Sequence, residues 1–396
     1  MKTSRHPSRV CAVSFKPCWQ DDSGRWMSSG GFPLQMGAIA SLFDGMTLIV
    51  VRGEPLAGGL PLPPNARVIA LCAPHGQDAR RKVSVIARLP YYVGAIAARV
   101  LGADVVHTPL PGDIPLLALW IALALRKRVI ARYSGSWVAN TQSTRMNRVT
   151  KDCMRRFAGG RNVMLATGEG AEPPAPNVEW IFSTALSVAE IERDPPDLDR
   201  GLQSPPRLIY VGRLSPEKGV ATLVRALATL DGQPGHPRPH LTLAGEGPER
   251  ATLEALAREL RCADRITFAG QLDRRSLGEA LDAADLCVQP SLTEGFSKAW
   301  LDAMSRGLPV LASEVGAARS VTGADGERGW LVPPGDPAAL AAALRRVLCD
   351  ASGWTAIRRR CRTYVEGRTL EVWARTIGEH CARQWDWNLD DGRLRA

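Results

Sequence analysis

The sequence predicts an α/β protein with two doubly wound domains, and three observations support this prediction. Short apolar runs alternate with segments of helical periodicity, which is typical of a parallel sheet covered by helices on both faces. A proline-rich and acidic stretch at 172–206 separates two such series. The length of 396 residues is enough for two domains that each bury a core. We expect these domains to face each other across a cleft.

The first series contains five apolar runs that predict buried strands. The runs are 9–15, 46–53, 67–74, 104–109 and 128–135. A segment with helical periodicity at 80–102 and an apolar stretch at 114–125 lie between some of these strands. Because the stretch at 114–125 is too short to span a bilayer, we predict that it is a buried helix.

The second series repeats the alternation more regularly. Its predicted strands are 206–213, 240–247, 265–271, 285–291 and 308–316, and its predicted helices are 220–230, 248–261, 274–284, 297–307 and 337–349. We therefore predict a first domain at 1–199, a second at 200–375 and a tail at 376–396. The tail, with Trp385 and Trp387, is expected either to pack back on the first domain or to be loosely ordered.

The net charge of +10 is unevenly distributed along the chain. Residues 1–168 contain 22 Lys and Arg against 8 Asp and Glu, whereas the remainder contains 28 against 32. Ten of the basic residues lie within 126–161, with Asp152 as the single acid there. This run is either a solvated face or a surface that contacts anionic lipid or a phosphorylated acceptor, and its periodicity leaves the choice open.

The cysteines indicate a reduced, cytoplasmic protein without a metal site. Nine of them are scattered, with no CxxC pair and no Cys/His spacing typical of metal binding. The basic N-terminal stretch lacks an apolar core of signal-peptide length.

Candidate binding residues are expected in the loops that follow strands, since doubly wound sheets bind ligands beyond the carboxyl ends of their strands. In the stretch YVGRLSPEKGV at 210–220, Gly212 and Arg213 follow a strand and Lys218 precedes a helix. Backbone N–H groups at the helix start and two cations would suit a diphosphate without a metal ion. A solvated basic loop has the same composition, so this stretch alone does not decide.

Two further loops carry weaker signals. LAGEGPER at 243–250 is not a complete GxGxxG, which disfavours a dehydrogenase and favours a tight turn with its backbone close to a ligand. Gln271 and Leu272 follow the next strand, where main-chain groups would hold a base. An ordinary connecting loop is an equally good interpretation there.

A pair of acids occurs in EGFSKAWLDAM at 294–304. Glu294 precedes a predicted helix whose start presents the N–H groups of Gly295, Phe296 and Ser297, and Asp302 lies two turns further on. Helical rise places the two acids roughly 10–12 Å apart, which is beyond the spacing of about 5–9.5 Å of a carboxylate pair acting on one bond. The spacing suits two polyols on one extended ligand, such as a sugar and a ribose. The alternative is an acid favoured by the helix dipole and a solvated Asp302.

These motifs together resemble glycosyltransferase family 4. The stretches VGRLSPEKGVATLVRAL, LAGEGPER, FAGQL and PSLTEGFSKAWLDAMSRGLPVLAS occur in the order and spacing of that family, over roughly 205–345. The resemblance implies the GT-B fold with two Rossmann-like domains, a nucleotide-sugar donor and retention of configuration. It also implies that Arg213 and Lys218 bind the diphosphate, Glu294 the sugar and Asp302 the ribose. The second acid is usually Glu, so Asp302 departs from the family pattern.

The first half resembles the family more loosely. Gly30 and Gly31 are similar to the glycine loop near the donor phosphate or acceptor, and His107 to a catalytic histidine in the cleft. A hydrogen-bonded core histidine is the alternative for His107. Arg132 and Ser134 lie at the end of the next strand and are expected to face the acceptor.

We therefore expect an enzyme that transfers a sugar from a UDP or GDP donor, with no other cofactor and no metal ion. Expected acceptors are a saccharide, a lipid-linked or another anionic acceptor in cell-surface polysaccharide or glycolipid synthesis. Peripheral contact with the inner membrane face is a further expectation, and nucleic acid is not an expected partner. A metal-dependent transferase is disfavoured because the triplet Asp197–Leu198–Asp199 lies in the linker. A non-catalytic polyanion-binding protein on a degenerate fold is the alternative.

Overall fold

A computed structural model describes residues 8–56, 58–76, 78–137, 144–230, 238–350 and 352–395, without the side chains of residues 78–80 and 82. The chain divides into two compact units. The first contains the described residues up to Ala185 and those from Leu370 onwards, and the second contains Leu186–Thr369. The predicted boundaries at 199/200 and 375/376 are corrected accordingly, because residues 186–199 pack with the second unit and residues 370–375 with the first.

Contacts of the 186–199 segment explain the first of these corrections. The carboxylate of Glu190 pairs with Arg274 at 2.5 Å between Oε1 and Nε. Arg362 donates to the carbonyl of Ile191. Since both partners belong to the second unit, the acidic segment is anchored by arginines there and is not a free linker.

The first unit is built on a nine-stranded sheet. Its strands are β1 (Arg9–Gln20), β2 (Trp26–Ser28), β3 (Gly45–Arg52), β4 (Leu60–Pro61), β5 (Ala66–Leu71), β6 (Val105–Leu110), β7 (Arg128–Tyr133), β8 (Asn162–Thr167) and β9 (Val178–Ile181). A parallel array runs in the order β5-β3-β1-β6-β7-β8-β9, and β2 and β4 extend β1 as an antiparallel ribbon. All five predicted strands form and β2, β4 and β8 were not predicted, whereas β9 lies within the stretch at 172–206 that separates the two predicted series.

Helices cover both faces of this sheet. They are α1 (Phe32–Ser41), α2 (Asp78–Ala87), α3 (Leu89–Leu101), α4 (Asp113–Ala124) and α5 (Arg145–Phe157). Buried residues of α3, α4 and α5 pack with Cys11 and Val13 of β1, and buried residues of α1 pack with Val10 and Ala12. Both sets of β1 side chains are therefore covered, which explains why the strand is apolar without alternation. The predicted helix at 114–125 is the buried α4, and the predicted segment at 80–102 forms two helices, α2 and α3.

The second unit contains a six-stranded parallel sheet in the order β12-β11-β10-β13-β14-β15. Its strands are β10 (Arg207–Val211), β11 (His240–Ala244), β12 (Ile266–Gly270), β13 (Leu286–Gln289), β14 (Val310–Ser313) and β15 (Gly329–Val332). Its helices are α6 (Val188–Arg193), α7 (Val220–Thr229), α8 (Arg250–Glu259), α9 (Arg274–Asp282), α10 (Lys298–Ser305), α11 (Ala318–Thr322), α12 (Pro337–Cys349) and α13 (Trp354–Glu366). The five predicted strands and five predicted helices form, and β15, α6, α11 and α13 were not predicted.

The C-terminal segment completes the core of the first unit. It forms α14 (Leu370–Trp385), β16 (Asn388–Asp390) and β17 (Arg393–Arg395). Trp373, Ile377 and Cys381 are fully buried among residues of α1 and the sheet. Trp385 packs on Trp387 with ring centroids 5.2 Å apart. The tail is therefore a structural part of the first unit.

We predict that Trp373→Ala destabilises the first unit by about 3–5 kcal/mol, because the substitution leaves a large cavity in a closed core. Trp120→Ala is the control, since that indole is 45% exposed on α4 and its loss should cost much less. Urea denaturation followed by far-UV circular dichroism measures both. Equal urea midpoints of unfolding for the two variants would show that packing of α14 does not stabilise the core.

Candidate functional site

The order of strands in the second sheet defines where a ligand is expected to bind. β10 pairs with β11 on one side and with β13 on the other. The chain proceeds from β10 to β11 and β12, then returns to β13 and continues in the opposite direction. In doubly wound sheets the loops at such a reversal of strand order diverge and leave a crevice at the carboxyl edge. The loops after β10 and β13 are therefore the candidate site.

The loop after β10 presents two cations. Arg213 is exposed, and within the described residues its side chain has no hydrogen bond or ion pair. The phenol of Tyr210 donates to the Arg213 carbonyl at 2.8 Å, which fixes the backbone at this position. Pro216–Lys218 form one turn of 3-10 helix before Gly219. Arg213 and Lys218 thus lie in the loop between β10 and α7, as the sequence predicts.

Lys218 and Glu294 bring the loops after β10 and β13 into direct contact. Lys218 Nζ lies 2.5 Å from Glu294 Oε2, and the two side chains are 23% and 14% exposed. The other oxygen of Glu294 accepts from the Gly295 N–H at 3.3 Å. An ion pair that is partly shielded from water is stronger than one at the open surface. The structure therefore brings together Lys218, which is predicted to bind phosphate, and Glu294, which is predicted to bind the sugar.

Glycines allow the backbones of the neighbouring loops to approach this pair. Gly219 has φ +62°, and a Cβ there would lie 2.3 Å from the Pro290 carbonyl oxygen. Gly316, after β14, has φ +55°, and a Cβ there would lie 2.3 Å from the carbonyl oxygen of Glu294. Ala317 N–H donates to the Gly295 carbonyl at 2.9 Å. Only glycine fits these positions without displacing the loop that carries Glu294.

The glycines of LAGEGPER have a similar role. A Cβ on Gly245 would lie 1.8 Å from the Gly212 carbonyl oxygen, and one on Gly247 would lie 2.2 Å from that of Leu214. The Leu214 N–H donates to the Glu246 carbonyl at 3.0 Å. These residues therefore hold the loop after β11 against the loop after β10, which positions Arg213.

The segment that enters α10 follows Glu294 directly. Gly295 and Phe296 precede Ser297, which occupies the N-cap position of α10 without a hydrogen bond from its side chain to the first turn. Phe296 is buried and packs on Trp300 with ring centroids 5.8 Å apart. These residues begin the helix beside the Lys218–Glu294 pair, as the sequence predicts. Gln271 is exposed and Leu272 half-buried in the loop after β12.

Asp302 has a partner that the sequence does not predict, and its role in binding ribose stays a prediction. The residue is buried, and Asp302 Oδ1 accepts from Arg274 Nη1 at 2.9 Å. Arg274 also bonds Glu190, so one guanidinium joins two acids. Sequence reasoning missed Arg274 and Glu190. The available signal was Asp273, an N-cap residue that places Arg274 in the first turn of α9 beside the predicted base-binding loop.

The first sheet has its own reversal of strand order, between β1 and β6. Gly30 is exposed with φ +67°, and Gly31 is the N-cap residue of α1. No described atom lies within 4 Å of a Cβ built on Gly30. These glycines thus lie in an open loop after β1 and β2, at the predicted place.

His107 and Arg132 are corrected to core residues of the first unit. His107 is 0% exposed, and its Nδ1 lies 3.2 Å from the Ile130 carbonyl oxygen. Burial, with a smaller contribution from Arg132, lowers the pKa of His107 to about 3, so the ring is neutral. Arg132 is also buried, donates to Gln35 at 3.2 Å and lies over the Trp373 ring. Both side chains are enclosed in the first unit, whereas Ser134 is exposed.

Searches for a metal site and for a membrane span gave no candidate in the described parts of the chain. No group of three or more His, Cys, Asp or Glu residues there is arranged to hold a metal ion. No helix there has the length and hydropathy needed to cross a bilayer. In the triplet at 197–199, Asp199 pairs with Arg359 at 2.9 Å.

Comparison with known proteins gives a match between the second unit and one protein family. Residues 199–368 match the family described as "Glycosyl transferases group 1". Glycogen synthase of Mycobacterium tuberculosis is 39% identical over 179 residues, which cover 45% of this chain and 42% of that protein. D-inositol 3-phosphate glycosyltransferase 2 of Catenulispora acidiphila is 36% identical over 148 residues, which cover 36% of this chain and 34% of that protein. The chain thus spans less than half the length of these curated relatives.

Solved structures extend the likeness to the whole chain. Sucrose-phosphate synthase from Thermosynechococcus elongatus has a TM-score of 0.69 and 25% identity over 94% of this chain and 98% of that one. Anabaena HepE in complex with UDP-glucose has a TM-score of 0.71 and 17% identity over 96% and 100%. The predicted fold class is confirmed: the protein has the GT-B glycosyltransferase fold. The predicted resemblance is confirmed at the level of group 1 glycosyl transferases, and assignment to family 4 stays a prediction.

We predict that Gly316→Ala is more destabilising than Gly353→Ala. Both glycines have left-handed φ values, +55° and +78°, so an alanine at either position is strained by about 1–2 kcal/mol. At Gly316 the new methyl group also collides with the Glu294 and Gly295 carbonyls, whereas the space around Gly353 is open. The collision should add about 1–3 kcal/mol. Thermal unfolding of both variants tests this difference, and equal Tm values would contradict the described approach of the two loops.

Proposed function

We propose that the protein is a retaining glycosyltransferase that moves a sugar from a nucleotide-diphosphate donor to a saccharide or lipid-linked acceptor. The observation that carries this proposal is the Lys218–Glu294 ion pair at the strand reversal of the second sheet, with the exposed Arg213 in the same loop as Lys218. The match of residues 199–368 to group 1 glycosyl transferases supports it.

In this proposal, each member of the ion pair exchanges its partner for a group of the nucleotide-sugar donor. A diphosphate offers Lys218 a more highly charged partner than the Glu294 carboxylate, and Arg213 has its donors available for the same anion. Glu294 is then released to accept hydrogen bonds from sugar hydroxyls. The pair thus holds the two side chains close together before the donor binds, which lowers the cost of organising the site.

The proposed chemistry is a displacement on one face of the sugar. The bond between the anomeric carbon and the diphosphate oxygen breaks, and a bond from that carbon to the acceptor oxygen forms on the same side. The acceptor proton passes to the departing phosphate oxygen, so no protein carboxylate needs to act as a nucleophile. Arg213 and Lys218 stabilise the negative charge that develops on the leaving group. We propose that these two cations make a divalent ion unnecessary.

We also propose that the first unit contacts an anionic partner through α5. Arg145, Arg148 and Arg156 are exposed on this helix, and Met146 and Val149 are exposed between them. Basic side chains interleaved with apolar ones favour an anionic lipid surface, since apolar groups enter the interface while arginines meet head groups. This placement suits glycolipid or cell-surface polysaccharide synthesis at the cytoplasmic face of a membrane.

We predict that Arg213→Met and Lys218→Met each weaken donor binding by about 10- to 100-fold, because a charge-assisted hydrogen bond contributes about 1.5–3 kcal/mol. Arg225→Met is the matched control, because this arginine is exposed on α7, the helix that follows the same loop. A panel of UDP and GDP sugars in thermal-shift assays identifies the donor, and isothermal titration with and without EDTA gives the affinities.

Three outcomes would contradict parts of this proposal. Absence of stabilisation by any UDP or GDP sugar would overturn the transferase assignment and favour the polyanion-binding alternative. Equal loss in Arg225→Met would show that general charge, and not these two positions, attracts the donor. Loss of affinity on addition of EDTA would contradict metal independence.

We predict that the protein co-sediments with phosphatidylglycerol vesicles and not with phosphatidylcholine vesicles, and that Arg145→Gln/Arg148→Gln reduces this binding by about 30-fold. Each basic residue near an anionic surface contributes about 1 kcal/mol. Arg258→Gln/Arg319→Gln, which removes two exposed arginines of the second unit, is the control. Equal binding to both vesicle types, or equal loss in the control, would contradict the assignment of α5 to this surface.

A further inference from the structure

We infer that Arg274 is a positioning residue for the nucleotide part of the donor, an inference that rests on the proposed function. Its guanidinium joins three elements of the second unit. Arg274 Nε lies 2.5 Å from Glu190 Oε1 on α6, and Arg274 Nη1 lies 2.9 Å from Asp302 Oδ1 on α10. Arg274 itself begins α9. We call Glu190, Arg274 and Asp302 the arginine bridge.

The arginine bridge is partly shielded from water, and its hydrogen bonds are directional. The exposed fractions are 27% for the Arg274 side chain, 24% for Glu190 and 11% for Asp302. A planar guanidinium donates in fixed directions, so its two hydrogen bonds constrain the orientation of both carboxylates. Burial lowers the pKa of Arg274, but Asp302 and Glu190 outweigh this effect and raise it, so the guanidinium stays charged.

The arginine bridge links the two loops that would hold opposite ends of the nucleotide. Arg274 follows Gln271 and Leu272 by only a few residues, and these are proposed to contact the base. Asp302 lies on α10, whose N-terminal end follows Glu294 directly. Arg274 therefore sets the distance between the loop after β12, which is predicted to bind the base, and α10, which begins beside the residues predicted to bind the diphosphate.

The carboxylate at position 302 is oriented by Arg274. Its Oδ1 accepts from the guanidinium, and a carboxylate retains acceptor sites for a further donor. We infer that Arg274 sets the position from which Asp302 meets the nucleotide. Removing Arg274 would leave two carboxylates without their shared cation, next to the place where a doubly anionic ligand is proposed to bind.

The test is a titration with UDP and GDP at a temperature well below the unfolding transition. The wild-type protein is expected to prefer one of the two nucleotides. Arg274→Met should lower the affinity for that nucleotide by at least about tenfold. Arg274→Lys keeps the charge but cannot bridge two carboxylates in a fixed geometry, so its affinity should be intermediate. Arg275→Met is the matched control, because this neighbour in the same helical turn pairs with Glu279 and is 90% exposed.

A double variant separates geometry from charge. Arg274→Met/Asp302→Asn has the same net charge as the wild-type protein, and we expect it to bind as weakly as Arg274→Met, because the link between α9 and α10 is still missing. Recovery of wild-type affinity in the double variant would overturn the positioning role, and so would equal affinity of Arg274→Met and Arg275→Met. A wild-type protein that binds neither nucleotide would instead overturn the proposed function, and the wild-type titration alone reveals that outcome.

Discussion

The ion pair between Lys218 and Glu294 is the interaction on which the organisation of the second unit depends. Its members come from loops that are far apart in sequence and meet only because β10 and β13 are neighbours at the reversal of strand order. The contact is possible because Gly219 and Gly316 allow the chain to pass close to the carbonyl groups of the loop after β13. Strand order, glycine placement and charge are therefore three aspects of one constraint: an acid and a base are held together at the carboxyl edge of the second sheet.

Environment, and not residue type, distinguishes the arginines at the ends of strands. Arg132 and Arg213 both occur at the carboxyl end of a parallel strand. Arg132 is buried beside Gln35 and Trp373, and burial lowers its pKa to about 10. Its role is structural, since it holds α14 against the first sheet through the Trp373 ring. Arg213 is exposed and has no such partner within the described part of the chain, so its donors can bind a ligand.

Local sequence patterns were sufficient for most of the fold but not for the long-range contacts. Apolar runs predicted the central strands, because strands covered on both faces are apolar throughout. The strands β8 (NVMLAT) and β15 (GWLV) have the same character and were missed, although they are as long as the predicted strands β7 and β14. The helix α14 was also not predicted, since its burial against α1 depends on residues from the other end of the chain.

The candidate site shows the same division. Arg213, Lys218 and Glu294 were predicted because loops after strands and before helices have recognisable glycines and charges. The bridging of Asp302 and Glu190 by Arg274 was not predictable, because it joins three segments with no common local pattern. His107 likewise has the sequence position of a ligand-facing residue, and only the packing of both sheet faces shows that it is enclosed.

A crystal structure of the protein with bound UDP would test the central claim most directly. The account predicts that the diphosphate oxygens lie within hydrogen-bonding distance of Lys218 Nζ and the Arg213 guanidinium, and that Lys218 has exchanged Glu294 for the phosphate. A complex in which UDP binds elsewhere, or in which the Lys218–Glu294 pair stays closed with the phosphates remote from both cations, would contradict it.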